Sequence, residues 1–292
     1  MFTVSLIASP HAANLDSELP GGLSAQWQGG SPRILAPGIA AEFDIPQAPA
    51  DADRVWFDLQ VIGIDLAIQP AEGRRKRILI ADMDSTMIDQ ECIDELADFA
   101  GVGERVADIT ARAMNGDLNF HEALVERVGL LAGLDEGVIP TVLQDRITLA
   151  SGGATLVATM RAHGAYAALV SGGFTAFTEA VAGRLGFDEH RANALLIEAG
   201  VLTGHVALPV LGREAKVEAL QQIAARLGTT PQNAIAVGDG ANDLDMIGLA
   251  GTGVALHAKP AVAAQAQIRI NHGDLTALLY LQGYSARDFV TV

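Results

Sequence analysis

The chain is short of cysteine and of positive charge, and it lacks any long apolar run. Its one cysteine among 292 residues, Cys92, excludes an intrachain disulfide, so a core must hold without covalent staples, which a chain of this length can do. Lys and Arg together number 19 against 35 Asp and Glu, a formal net charge of -16, and the calculated pI is near 4.7. No basic tract offsets this balance, so neither nucleic acid nor an anionic membrane is an expected partner. A small pocket can still be locally positive, and an anionic substrate is not excluded. No charge-free stretch approaches the roughly 20 apolar residues that span a bilayer. The opening MFTVSLIASPHAANLDSEL does not join a basic leader to a sustained apolar segment, as a secretory signal would. A soluble cytoplasmic protein is the expectation. There is also no nucleotide P-loop, no GxGxxG after a strand, no EF-hand, no clear repeat and no heptad.

What is present alternates between strand and helix periods. FTVSLIA predicts a strand, and VWFDLQVIGIDLAIQ holds two short apolar stretches that suit strands or a hairpin. Residues 1–72 read as a small α/β domain, and GRRKR as a solvated link to a second domain over 73–292. RILIA predicts a buried strand, and about 90–149 reads as mainly helical. YAALV, NAIAVG, VAL and IRI supply further strands, with ATLVATMRAHG, FTAFTEAVAGRLG and EAKVEALQQIAARLG as helices between them. The segment around GVLTG suits a hairpin. Such alternation predicts a mainly parallel sheet with helices on both faces, interrupted by a helical cap.

Three strand ends carry the chemistry. RILIA runs into DMDST, placing Asp82 and Asp84 where active sites of open sheets commonly lie. Alone, the pair suits a metal, an acid/base pair, or an Asx-rich turn in which Ser85 or Thr86 caps the next segment. The second strand ends at Val170 before SGGFT, where Ser171 offers a hydroxyl and Gly172 and Gly173 let backbone approach an oxyanion. The third runs into GDGANDLDM, with Asp239, Asn242 and Asp243 as metal, ligand or capping groups. Lys216, upstream on a helix, suits a cation opposite phosphate; by itself it reads as a surface lysine.

Together these motifs resemble the haloacid dehalogenase-like (HAD) phosphatase superfamily. More narrowly, Asp82 to Glu91, the segment MNGDLNFHEALVERVGLLAGL, SGGFT and the last motif resemble the phosphoserine phosphatase family, over roughly Arg77 to Ser285. The resemblance implies a Rossmann-type parallel core with a cap at about 90–149. It implies one Mg2+ held by the Asp82 side chain, the Asp84 backbone carbonyl and Asp239, with Asp243 behind them. Asp82 is then the nucleophile that forms an aspartyl-phosphate, and Asp84 the proton donor and acceptor. An ordinary Asp titrates at about 3.9, so Asp84 needs an environment that lets it hold a proton. Ser171, Gly172, Lys216 and Asn242 are placed around phosphate. Glu91 and Arg127 are placed on the substrate ammonium and carboxylate, and Met114 and Phe120 over the small substrate; without the resemblance, these four read as surface charges and helix core.

The expected substrate is O-phospho-L-serine, in the last step of phosphorylated serine biosynthesis, with a homodimer open. Asn119 and Ala123 depart from the family pattern, which has an acid and a serine there, and so bear on substrate preference or cap packing. Residues 1–72 match poorly the ACT-like modules of longer members, so folding or assembly is expected of them rather than ligand regulation. A related phosphatase or phosphotransferase with another ester or acceptor is the alternative, and a noncatalytic sensor the more distant one.

Overall fold

The computed structural model describes residues 1–114 and 118–291, apart from the side chain of Met114. The chain opens with β1 (Phe2–Ala8), α1 (Leu19–Gln26), β2 (Arg33–Ala36), β3 (Ala40–Ile45), α2 (Ala52–Val61) and β4 (Ile64–Pro70). The strands form an antiparallel sheet in the order β2-β3-β1-β4, the split β-α-β arrangement of ferredoxin-like folds. The period-2 rule sorts its two faces. Val4, Leu6, Phe43 and Leu66 pack with Val55 and Leu59 of α2, while Ile7, Ala40 and Ala67 join the core of the following domain. VWFDLQV is therefore helix, not strand: Val55 and Leu59, four apart, are its buried residues, and Phe57 faces solvent.

The remaining chain runs β5 (Ile78–Ala81), α3 (Cys92–Phe99), α4 (Gly103–Met114), α5 (Phe120–Gly129), α6 (Val138–Asp145), α7 (Gly153–Ala162), β6 (Tyr166–Phe174), α8 (Thr175–Leu185) and β7 (Glu189–Asn193). A hairpin follows, β8 (Leu195–Glu198) and β9 (Val201–Val206), then α9 (Arg213–Arg226), β10 (Ala234–Gly238), α10 (Leu244–Leu249), β11 (Thr252–Leu256), α11 (Pro260–Ala263), β12 (Ile268–Ile270) and α12 (Ala277–Leu281). Six strands make a parallel sheet in the order β12-β11-β10-β5-β6-β7. Its inner strands are mostly apolar, as burial on both faces requires. β5 has β6 on one side and β10 on the other, so the chain winds away from it in both directions. A crevice at the carboxyl end of β5 follows from that order.

Helices α3 to α6 enter between β5 and β6 and lie over this crevice. The β8–β9 hairpin holds them from the far side: the Gly133 N–H donates to Leu202 O at 2.8 Å, the Leu202 N–H to Leu134 O at 2.8 Å and the Glu136 N–H to Gly200 O at 2.9 Å. Among the described residues, no helix is long and apolar enough to cross a membrane.

The first sheet is fastened to the second domain by buried polar contacts. The fully buried Asp65 carboxylate accepts the backbone N–H groups of Asn271, His272 and Gly273 at 2.9, 3.0 and 2.8 Å. Arg74 is likewise not the solvated link expected of GRRKR. Its guanidinium pairs with the buried Glu42 and donates to Leu281 O at 2.9 Å. Each donor orphaned in a buried site costs about 1–3 kcal/mol, so Asp65→Ala should lower stability by about 3 kcal/mol or more in urea unfolding. A change below about 0.5 kcal/mol, the usual range for surface substitutions, would show that these bonds do not fasten the sheet.

Candidate active site

Beyond Ala81 the chain folds tightly onto itself. The Met83 carbonyl accepts the N–H groups of Met87 and Ile88 at 2.8 and 3.1 Å, and Met83, Met87 and Ile88 are fully buried. The apolar members of DMDSTMI are thus turned inward and the acids outward, into the crevice. Asp82 Oδ1 accepts the Met83 N–H at 2.8 Å and faces Lys216 Nζ at 2.7 Å. Asp84 accepts the Cys92 N–H at 2.9 Å on one oxygen and the Ser171 hydroxyl at 3.3 Å on the other. Burial, and then the Asp82 charge, push the Asp84 carboxyl up to about 6 against the hydrogen bonds from Cys92 and Ser171. Ser85 takes a left-handed backbone, φ 54°, and its hydroxyl donates to Glu91 Oε1 at 2.8 Å.

The second strand continues past Val170 to Phe174, so SGG is an irregular strand end rather than a turn. The Ser171 hydroxyl accepts the Gly173 N–H at 2.8 Å. A Cβ on Gly173 would sit 2.5 Å from Asp84 Oδ2, which is why a glycine is needed there. Lys216 is buried, not at the surface, with Asp243 at 2.6 Å and Asp82 at 2.7 Å. Burial works against its charge, but the two carboxylates outweigh that and hold the ammonium above its ordinary value.

From the third strand, Asp239 accepts the Thr86 hydroxyl at 3.2 Å, and burial followed by the Asp82 charge pushes its carboxyl up to about 6. Carboxylate oxygens of Asp82, Asp239 and Asp243 lie within 4.8 Å of one another, a hard oxygen set that can hold a metal ion. Asp243 has both oxygens engaged, one by Lys216 and the other by the Gly240 N–H at 3.0 Å, which suits it less as a ligand than as a support. The Asn242 side chain reaches toward Gly172, within 3.7 Å of where a Cβ on that glycine would stand. A cavity of about 590 Å³ at the opposite, amino-terminal end of the sheet, lined by Arg77, Arg161 and Tyr166, contains none of these groups.

The cap contributes from above. Glu91 precedes α3 at the crevice mouth, and desolvation, then the charges of Asp84, Asp239 and Asp82, push its carboxyl up to about 8. Arg127 is half-buried, its Nε donating to Ala123 O at 3.2 Å, in a field set by Asp94, Glu91 and Asp84. The Phe120 ring lies on Gly172, where an added Cβ would meet it at 2.8 Å, and on Gly212, where it would do so at 3.2 Å. The Met114 side chain falls outside the described residues. Asn119 forms a capping box with Glu122 at the start of α5, and Ala123 is buried behind it, so both departures from the family pattern serve helix packing. Cys92 is buried, with its thiol pushed up by that burial and by Asp84, and is no nucleophile. Sequence reasoning missed three groups: the Ser85 hydroxyl on Glu91, the Thr86 hydroxyl on Asp239, and Asn193, bonded to Gly172 O. The two hydroxyls were legible in DMDST as caps; nothing in the spacing marked Asn193.

Comparison with known proteins agrees with this geometry. The family model for haloacid dehalogenase-like hydrolase matches residues 79–248. A phosphoserine phosphatase of Streptomyces coelicolor is 39% identical over 256 residues, covering 86% of this chain and 62% of that protein. One from Haemophilus influenzae is 46% identical over 211 residues, covering 72% of this chain and 66% of that protein. The chain thus spans just under two thirds of the length of these relatives. Among solved structures, a HAD family hydrolase from Salmonella enterica serovar Typhi superposes with a TM-score of 0.85 at 31% identity, covering 96% of this chain and 98% of that one. A substrate-bound phosphoserine phosphatase complex does so with a TM-score of 0.66 at 39% identity, covering 70% of this chain and 98% of that one. From the match over most of its second domain and the shared fold, the chain belongs to the haloacid dehalogenase-like hydrolase family.

Proposed function

We propose that this chain hydrolyses O-phospho-L-serine to L-serine and phosphate with Mg2+. The observation that carries the reading is the meeting of Asp82, Asp84, Ser171, Lys216 and Asp239 at one sheet edge, beneath a cap bearing Glu91 and Arg127. The relatives named above as phosphoserine phosphatases support the substrate. The two ends of that substrate fit the cap: an ammonium that would draw the raised Glu91 carboxyl back toward its ionised form, and a carboxylate to Arg127 as a bidentate partner. A buried, free Cys92 suits a reducing cytoplasm, where the product would be the L-serine of biosynthesis. The sheet of residues 1–72 is read as a fixed brace, supported by the bonds of Asp65 and Arg74 across the domain boundary.

Asp82, whose Oδ1 accepts the Met83 N–H and the Lys216 ammonium, is the carboxylate that attacks phosphorus. As that bond forms, the bond from phosphorus to the serine oxygen breaks, and the leaving oxygen takes a proton from Asp84. A carboxyl raised to about 6 holds a larger share of its protons near neutrality than an ordinary aspartate, which fits this donor role. Water then attacks the aspartyl-phosphate and returns a proton to Asp84, releasing phosphate and freeing Asp82. Lys216 and backbone N–H groups of the SGG strand end offset charge on the transferring group. Asp82 and Asp239 would hold Mg2+, with the Asp84 backbone carbonyl, and when bound the ion supplies charge neutralisation and orientation of phosphate oxygens.

Asp82→Asn should cut phosphate release from O-phospho-L-serine by roughly 10³-fold or more with the fold retained by circular dichroism; turnover within about tenfold of wild type would sink the nucleophile assignment. Chelation followed by desalting should abolish turnover and MgCl2 restore it, whereas indifference to chelation would remove the ion from the reading. Arg127→Ala should raise KM for O-phospho-L-serine by about 10- to 100-fold, the worth of a lost charged hydrogen-bonded pair, and leave p-nitrophenyl phosphate hydrolysis nearly unchanged. Equal losses on both substrates would show that Arg127 does not read the carboxylate.

A further inference from the structure

Asn193 sits at the end of β7 with only 2% of its surface exposed, and the chemistry above gives it no task. Its surroundings explain why a buried amide stands there. Between the pairs Val170↔Arg191 and Phe174↔Asn193, β6 advances four residues while β7 advances two, so Ser171 to Gly173 bulge out of the ladder. A carbonyl in such a bulge loses its strand partner and must be satisfied otherwise. Asn193 Nδ2 donates to Gly172 O at 2.9 Å, in place of the missing strand. The same side chain makes a reciprocal pair with Leu211, donating from Nδ2 to Leu211 O at 3.2 Å and accepting the Leu211 N–H on Oδ1 at 2.7 Å.

One amide therefore joins two segments distant in sequence. The first carries Ser171 and Gly172; the second ends at Gly212 and opens α9, which carries Lys216. Phe120 of the cap rests on both: an added Cβ would stand 2.8 Å from its ring at Gly172 and 3.2 Å at Gly212. We propose that Asn193 is a positioning residue for phosphate, fixing the SGG backbone against the loop that leads to Lys216 and so building the floor on which Phe120 closes. This rests on the reading of the site as a phosphate-ester site. It differs from that reading in acting on the phosphate seat alone, whatever the rest of the substrate.

The test uses Asn193→Asp and Asn193→Ser in the full chain. The first keeps the shape but turns both donated bonds into contacts between acceptors; the second keeps a shorter donor. Calorimetry with inorganic phosphate in excess MgCl2 should show affinity about 10- to 100-fold weaker for Asn193→Asp, from the loss of two buried hydrogen bonds, and a smaller loss for Asn193→Ser. kcat/KM should fall by the same factor on O-phospho-L-serine and on p-nitrophenyl phosphate, in contrast to changes at Arg127. A residue serving only stability would lower the melting temperature and leave phosphate affinity of the folded protein untouched. The proposal is overturned by phosphate affinity within about twofold of wild type, by a loss confined to phosphoserine, by failure of both variants to fold, or by wild-type protein that does not bind phosphate. Wild-type protein that binds phosphate but does not turn over phosphoserine would refute the proposed substrate, while the affinity ratio still decides the role of Asn193.

Discussion

The buried ammonium of Lys216 between Asp82 and Asp243 is the interaction on which the site is built. A lysine kept charged in a protein interior needs partners, because its desolvation costs several kcal/mol. Here Asp82 lies at 2.7 Å and Asp243 at 2.6 Å. That requirement fixes the third strand end as well as the first. Asp243 is held by the Gly240 N–H; a Cβ on Gly238 would stand 2.3 Å from its Cγ and one on Gly240 would stand 2.3 Å from Asn242 Oδ1, so GDG has no room for side chains at either glycine. The order of the sheet makes the meeting possible, since β5 lies beside β10 and both end at the same edge.

An open sheet edge meets two opposed demands. It must be wet to admit a charged substrate, and dry when electrostatic groups are to act at full strength. The cap answers with one aromatic ring on a floor of two glycines, a contact that side chains at Gly172 or Gly212 would disturb. The cap is tied at both ends. Its entrance is joined to the loop after β5 by Ser85 and Glu91, and its far side is held by backbone bonds of the β8–β9 hairpin.

Residues whose chemistry is local were legible in the sequence. DMDST, SGG and GDGAND each follow a recognisable apolar strand, and strand ends at one edge of a parallel sheet must converge; the family membership read from them is shown by the comparisons. Residues whose reason lies far along the chain were not legible. VWFDLQV reads as strand because its β-branched and aromatic residues suit one, yet only Val55 and Leu59 are buried, at helical spacing. Arg74 reads as solvated in GRRKR because its partner, Glu42, stands in a strand of another domain. Asn193 ends an unremarkable strand, and its two partner residues, Gly172 and Leu211, lie about twenty residues away on either side. The bulge that needs it is a matter of register between strands, which no single-strand pattern encodes.

The acidity of the whole chain and the anionic nature of the proposed substrate are compatible because charge acts over short distances. At physiological salt the Debye length is about 8 Å, so a formal charge of -16 spread over the surface weighs little against groups in the crevice. Inside the crevice the balance is still unfavourable to an anion. Asp82 and Asp243 pair with one ammonium while Asp84 and Asp239 stand close by, and burial, reinforced by the Asp82 charge, raises Asp84 and Asp239 to about 6. A phosphate dianion entering that field would be repelled by the groups meant to act on it. The proposed divalent cation would offset that repulsion: with its charge added, Asp82 could stay ionised, as its proposed nucleophilic role needs, while phosphate approaches it.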